Sequence, residues 1–203
     1  MTIANLLKLH GHNVQRAVSP SGRMIFRNIA STAAAATAAK LASPMPIKPH
    51  TFHGGANPVE KLTITSEPWW FDDDVMDRDR EAMALYFPGF TETPAAEETP
   101  PGWVGTIDTG YGVFGVRIQH RLDHGLPAVV PDRPKRRLVR GMQVDSPHLF
   151  LSGNLCVADA DDWDPSTDTI ATVVGWTAHW HAAYVDWNFT GIWPMEGYES
   201  DAA

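Results

Sequence analysis

The spacing of hydrophobic residues changes along the chain. From Ser166 to Trp187, residues Ile170, Val173, Val174, Trp176, Trp180, Tyr184 and Trp187 recur largely three or four apart, which lines one face of a buried α-helix. Upstream, "GWVGTID" and "GVFGVRIQHR" are β-rich and partly alternating, with Gly110 and Gly112 marking a turn between them; two consecutive antiparallel strands are predicted. "LPAVVPDRPKRRLVRG" predicts a third strand and loop, its prolines confining it to an edge or turn. "HLFLSG" predicts a short fourth strand leading to Cys156. Before the strands, "DDDVMDRDREAMALYFPGF" sets Val75, Met76, Met83, Leu85 and Tyr86 among charges behind three aspartates. That pattern predicts an acid-capped helix of about three turns ending before Pro88. The order is helix, antiparallel meander, cysteine segment, helix, an α+β layout.

Charge divides the chain in two. Residues 1–59 hold six Lys or Arg and no Asp or Glu, although the whole chain has a formal charge of −8. The basic opening, rich in Ala and Ser, fits an organelle transit peptide; it equally fits a disordered tail or a misplaced start, with Met24 and Met45 as internal starts. "ASTAAAATAAKLA" has strong helix formers and no amphipathic stripe, so any helix there is transient. "PMPIKPHTFHGGANP" reads as a linker. The expected division is a basic, disordered tail and linker over 1–61 and one folded domain over 62–203.

The acidic body argues against binding a phosphate backbone, which needs Lys and Arg on the docking face. A single cysteine forms no internal disulfide, and no apolar run approaches the roughly 18 residues of a membrane span. A cytoplasmic protein with neither nucleic acid nor membrane as partner is expected. Gly110, Gly112 and Gly115 build no phosphate loop, and His179 and His181, two apart on a helix, face different ways with no further ligands at metal spacing. No cofactor or metal is expected. The tryptophans of the last helix read as core, and "RPKRRLVR" as either a solvated loop or a docking site for an acidic partner.

Chemistry concentrates at "SPHLFLSGNLCVADADDWDP", residues 146–165, which carries the one cysteine of the chain. A lone cysteine is commonly a small buried apolar residue. Cys156, however, follows the Gly153–Asn154 turn and precedes Asp159, Asp161 and Asp162, which predicts a sulfur near solvent and available as a nucleophile. Those acids resist thiolate formation, so a protease-like activated thiol is not what the loop suggests.

The same residues carry a resemblance. Ubiquitin-conjugating enzymes place a His-Pro-Asn tripeptide before the catalytic strand, then a Gly, a Leu or Ile with the Cys, and a Trp-x-Pro turn ahead of a helix. This chain resembles them, and more closely their divergent bacterial relatives in CBASS-like antiphage operons. The shared positions are Pro147, His148, Gly153, Leu155, Cys156, Trp163, Pro165, Thr169, Trp176, Trp180, Tyr184, Trp187, Gly191, Trp193 and Pro194. The likeness is specific over 147–194 and topological over about 75–146. It departs from the family where the tripeptide's asparagine is replaced by His148.

The resemblance implies a ubiquitin-conjugating-like fold and two acyl transfers: Cys156 takes a protein C-terminus as a thioester and yields it to an amine. It implies an oxyanion or proton-transfer role for His148, which alternatively braces the loop, and an acceptor-orienting role for Asp161 or Asp162, which alternatively are solvated capping charges. Implied partners are an activating enzyme or an already charged cargo protein, the cargo being a ubiquitin-like protein or the C-terminus of a cyclic-nucleotide synthase. A catalytically idle adaptor of the same fold and a Cys-His hydrolase are the competing expectations.

Overall fold

A computed structural model describes residues 14–28, 44–52, 68–96, 99–194 and 197–198. Strands β1 (Val14–Val18) and β2 (Met24–Asn28) form a hairpin, and β3 (Met45–Pro46) adds to the other side of β1. β4 (His50–Thr51) follows; then a single 3-10 turn, Trp69–Phe71, leads into α1 (Asp73–Tyr86). Asp72 caps α1 by accepting from the Asp74 amide, and Asp73 and Asp74 sit where the helix dipole favours negative charge.

β5 (Thr91–Thr93), β6 (Gly102–Asp108), β7 (Val113–Gln119) and β8 (Ala128–Pro131) make a four-stranded antiparallel meander in that order. Its inward positions, Trp103, Ile107, Val116 and Ile118, are buried, and Trp103 pairs with Ile118 and Ile107 with Phe114. β9 (Arg136–Val139) and β10 (Met142–Asp145) form an exposed hairpin, and a 3-10 turn spans Ala160–Asp162. α2 (Ile170–Thr190) ends at Gly191, whose left-handed φ of 80° suits glycine. β11 (Gly197–Tyr198) returns to pair antiparallel with β4.

α2 organises the fold. Nearly every residue from Ile170 to Tyr184 is buried, so the helix needs neighbours on more than one side. Phe114 of β7 packs on His181 and Tyr184. His179, about 200° around the helix from His181, meets Arg16 of β1 and His50 of β4 instead. The meander and the N-terminal strands thus cover different faces of one helix. At the helix start, the buried Asp79 of α1 accepts from the Ile170 amide at 2.8 Å and from His120 Nε2 at 2.7 Å. One carboxylate ties α1, the end of β7 and the mouth of α2 together.

The α+β class, both helices, the strands over 102–108 and 113–119 and the edge strand at 128–131 agree with the sequence reading. Residues 14–28 and 44–52 correct it. Expected as tail and linker, they hold strands, and Ala17, Val18, Met45, Ile47 and Phe52 are core residues. Gly22 (φ +86°) brings the β1–β2 turn so close that an added Cβ would lie 3.0 Å from the Ile107 Cα, and the Asp108 amide donates to the Ser21 carbonyl there. The helix considered at 30–42 and the boundary at 62 lie outside the described residues. "HLFLSG" also departs from expectation: it is a turn closed by isolated bridges, Leu149 to Leu155 and Val129 to Leu155, because Gly153 (φ +88°) reverses the chain within it. Among the described residues, no helix is long and apolar enough to cross a membrane.

Candidate active site

The cysteine loop is built from its backbone outward. Phe150 N donates to Asn154 O and Gly153 N to Phe150 O, closing a tight reversal. Leu155 N then bonds Val129 O at 2.8 Å, which sets the returning limb against the edge of β8. One residue on, Cys156 N donates to His148 O at 2.9 Å. The two residues singled out eight apart in sequence are thus paired across the loop. Trp180 Nε1, from α2, also donates to that carbonyl at 3.2 Å, so the helix braces His148 from below. His148 has a left-handed φ of 56°, uncommon for a residue with a Cβ. Its ring packs on Phe52 at 5.6 Å and Trp193 at 5.0 Å between centroids.

Cys156 itself differs from expectation. It is 1% exposed, flanked by the buried Leu155, Val157 and Ala158, and its Sγ lies 3.9 Å from the Ala158 carbonyl. The turn and acids that suggested an accessible sulfur are present, but the sulfur is buried. The aspartates separate into different roles. Asp159 and Asp162 reciprocally cap the 3-10 turn, each carboxylate accepting a backbone amide of the turn. Asp162 Oδ2 also accepts from Thr51 N at 2.7 Å, so this carboxylate is occupied by backbone amides. Asp161 is exposed, its side chain on the outer surface of the turn. Trp163 anchors the loop from behind by donating to His124 O at 3.3 Å.

Next along, Asp168 is buried and pairs with Lys48 Nζ at 2.6 Å while accepting from Asp164 N at 2.8 Å. Asp164 accepts from the Ser166 amide and hydroxyl, which holds its carboxyl below the usual range. Sequence reasoning missed Lys48 and Asp168, which are 120 residues apart. The signal available was the lone lysine within an apolar, proline-rich stretch.

Three buried histidines, His50, His179 and His181, are held in neutral form. Arg16 donates to His179 Nε2 at 3.1 Å, so the His179 proton sits on Nδ1 and is donated to His50 Nε2 at 3.0 Å; His50 Nδ1 in turn donates to Lys48 O at 2.9 Å. Burial lowers His50 to about 4 and carries His179 well below its ordinary value. His181 is taken to about 3 chiefly by burial and donates to Thr177 O. His179 and His181 therefore serve separate contacts. Among the described residues, no cluster of three His, Cys, Asp or Glu is placed to hold a metal ion.

The basic run folds back on the chain. Arg136 pairs with Asp145 at 2.6 Å, Arg137 donates to Trp187 O at 2.8 Å, and Lys135, 4% exposed in its side chain, lies 3.4 Å from Asp132 and 4.8 Å from the centre of the Phe114 ring. Arg133 and Arg136 border a groove of about 470 Å³ between residues 130–136 and 149–154, on the approach to the cysteine loop.

Residues 79–200, more than half of the chain, match the profile of a protein family described as Type II CBASS E2 protein. The matched stretch takes in α1 from Asp79, the meander, the cysteine loop and α2. Neither a curated protein nor a solved structure matches the chain.

Proposed function

From its membership of the Type II CBASS E2 family, we propose that this protein acts in CBASS antiphage signalling as an E2-like transferase with Cys156 as acyl carrier. The reading rests on one observation: within the matched region, Cys156 and His148 are joined across a tight loop at 2.9 Å, with Trp180 bracing the same carbonyl. In the first half-reaction the Cys156 thiolate attacks the activated carbonyl of a partner's C-terminus and the donor's leaving group departs. In the second, an amine attacks the Cys156 thioester, the tetrahedral intermediate collapses, and the thiolate leaves as the amine gives up its proton. Positioning and oxyanion stabilisation are the principal demands, since a thioester already carries a good leaving group.

His148 is the proposed oxyanion or proton-transfer partner. Asp161, on the outer surface of the turn, is better disposed to meet an incoming amine than Asp162, whose carboxylate accepts the Thr51 and Asp159 amides. Proposed partners are a CBASS activating protein and the cyclic-nucleotide synthase whose C-terminus is carried, with a ubiquitin-like protein as the alternative cargo.

Incubation with those partners is expected to give a reductant-sensitive adduct that Cys156→Ala abolishes. Cys156→Lys is expected to trap a reductant-resistant amide. His148→Ala is expected to slow transfer by roughly 10²–10³-fold, the usual effect of losing one oxyanion donor. An adduct of equal yield on Cys156→Ala rejects the assignment. The burial of Cys156 favours one second reading, an adaptor that keeps the fold and binds the same partners without chemistry. Partner binding indifferent to Cys156→Ala, together with no adduct on the parent protein, would select it.

A further inference from the structure

Residues 45–52 enter this region from far upstream in sequence and contact His148 and Asp162, which precede and follow Cys156 in the chain. Their near end is rooted in the N-terminal sheet, where Met45 pairs with Val18, Pro46 with Ala17, and Ile47 N donates to Arg16 O at 3.0 Å. Downstream of the cysteine, Lys48 Nζ bonds the Asp162 carbonyl at 2.8 Å and the Asp168 carboxylate at 2.6 Å, and Thr51 N bonds the Asp162 carboxylate at 2.7 Å. Upstream, Phe52, with no exposed surface, packs on the ring of His148, whose carbonyl holds the Cys156 amide. The segment therefore links the acidic turn that follows Cys156 in the chain to His148, which precedes it. β11 lies along its outer edge through pairing with β4.

We infer that residues 45–52 form a strap that closes over Cys156 and must lift before the sulfur can react. Its hold on the acidic turn is a few polar contacts centred on Lys48, whose side chain is 38% exposed. The contacts of Lys48 and Thr51 open locally at smaller cost than those of Ile47, His50 and Phe52, which are buried in the core. The root at β3 and the His50–His179 bond, by contrast, keep the strap attached to the body. The inference takes Cys156 as the reactive group of the proposed transferase and adds a closed, unreactive resting state.

Because the chain has a single cysteine, a chromogenic disulfide reagent such as DTNB reports on this sulfur alone, without any partner protein. The full-length parent protein is expected to react about 100-fold or more slowly than the urea-unfolded chain. Lys48→Met is expected to raise the folded-state rate about tenfold or more, as loss of the strap's main latch exposes the thiol by local opening. Ile107→Ala, a core truncation in β6, serves as the control for global unfolding. If Lys48→Met fails to fold, Asp168→Asn weakens the same ion pair with little change of shape. A parent protein that reacts as fast as the unfolded chain overturns the strap, as do latch and core variants that accelerate only in proportion to their lost stability. A strap that opens over a thiol which never accepts an acyl group would instead reject the transferase reading and leave the strap standing.

Discussion

The two helices are held in opposite ways. α1 turns three residues inward, Met76, Asp79 and Met83, and leaves most of its charged surface in water. α2 is enclosed from Ile170 to Tyr184 almost without interruption. An amphipathic helix needs one partner surface, whereas a helix apolar on all sides needs several. For α2 the second surface is the basic N-terminal stretch, so the acid-free segment and the acidic body complete one core. The same N-terminal stretch reaches the cysteine loop, where Phe52 packs on His148.

The contrast is sharpest for large-to-small changes. Trp180→Ala removes a fully buried ring and the donor to His148 O, and is expected to cost about 3–5 kcal/mol in urea unfolding. Asp79→Asn acts where the two helices meet, weakening the bond to His120 while leaving an oxygen for the Ile170 amide. A loss of about 1.5–3 kcal/mol is expected in the same measurement. If Trp180→Ala were no worse than Asp79→Asn, α2 would not be the central element.

The N-terminal covering of α2 also predicts a dependence on pH. His50 is buried neutral with its pKa lowered to about 4, against an ordinary value of 6.5. The unfolded chain therefore binds the proton first. Its contribution is complete above pH 6.5, declines as pH falls toward 4, and levels off below that. His50→Gln is expected to flatten the stability curve in this window by up to about 1.4 kcal/mol per pH unit. A curve of unchanged slope would contradict the burial of this ring. At the small end, Leu85→Ala on the exposed side of α1, where the side chain is 55% exposed, is expected to change stability by about 0.5 kcal/mol or less.

Much of this was legible in the sequence because local pattern sets it. The acid cap of α1, the alternation of β6 and β7 and the three-and-four spacing of α2 each depend on neighbours within a few residues. The pairing of His148 with Cys156 was legible as spacing around the Gly153 turn. The short strands at Met45–Pro46 and His50–Thr51 were not, since two-residue pairings leave no periodic trace in a proline-rich stretch. A trace did exist in α2, whose scarcity of polar positions called for a second covering layer. The exposure of Cys156 was misjudged for a related reason. Its turn and acids are local, whereas its 1% exposure is set by the packed fold around the loop, in which Lys48, Thr51 and Phe52, about a hundred residues upstream, hold Asp162 and His148.

The most direct test of the central claim is mass spectrometry of the full-length protein after incubation with the CBASS activating protein and synthase. The account predicts a product whose mass is that of this chain plus the donated chain less one water, cleaved by neutral hydroxylamine, with the linkage mapped to the Cys156 peptide. A linkage mapped to any other residue, or a hydroxylamine-resistant adduct on the parent protein with Cys156 unmodified, would contradict it.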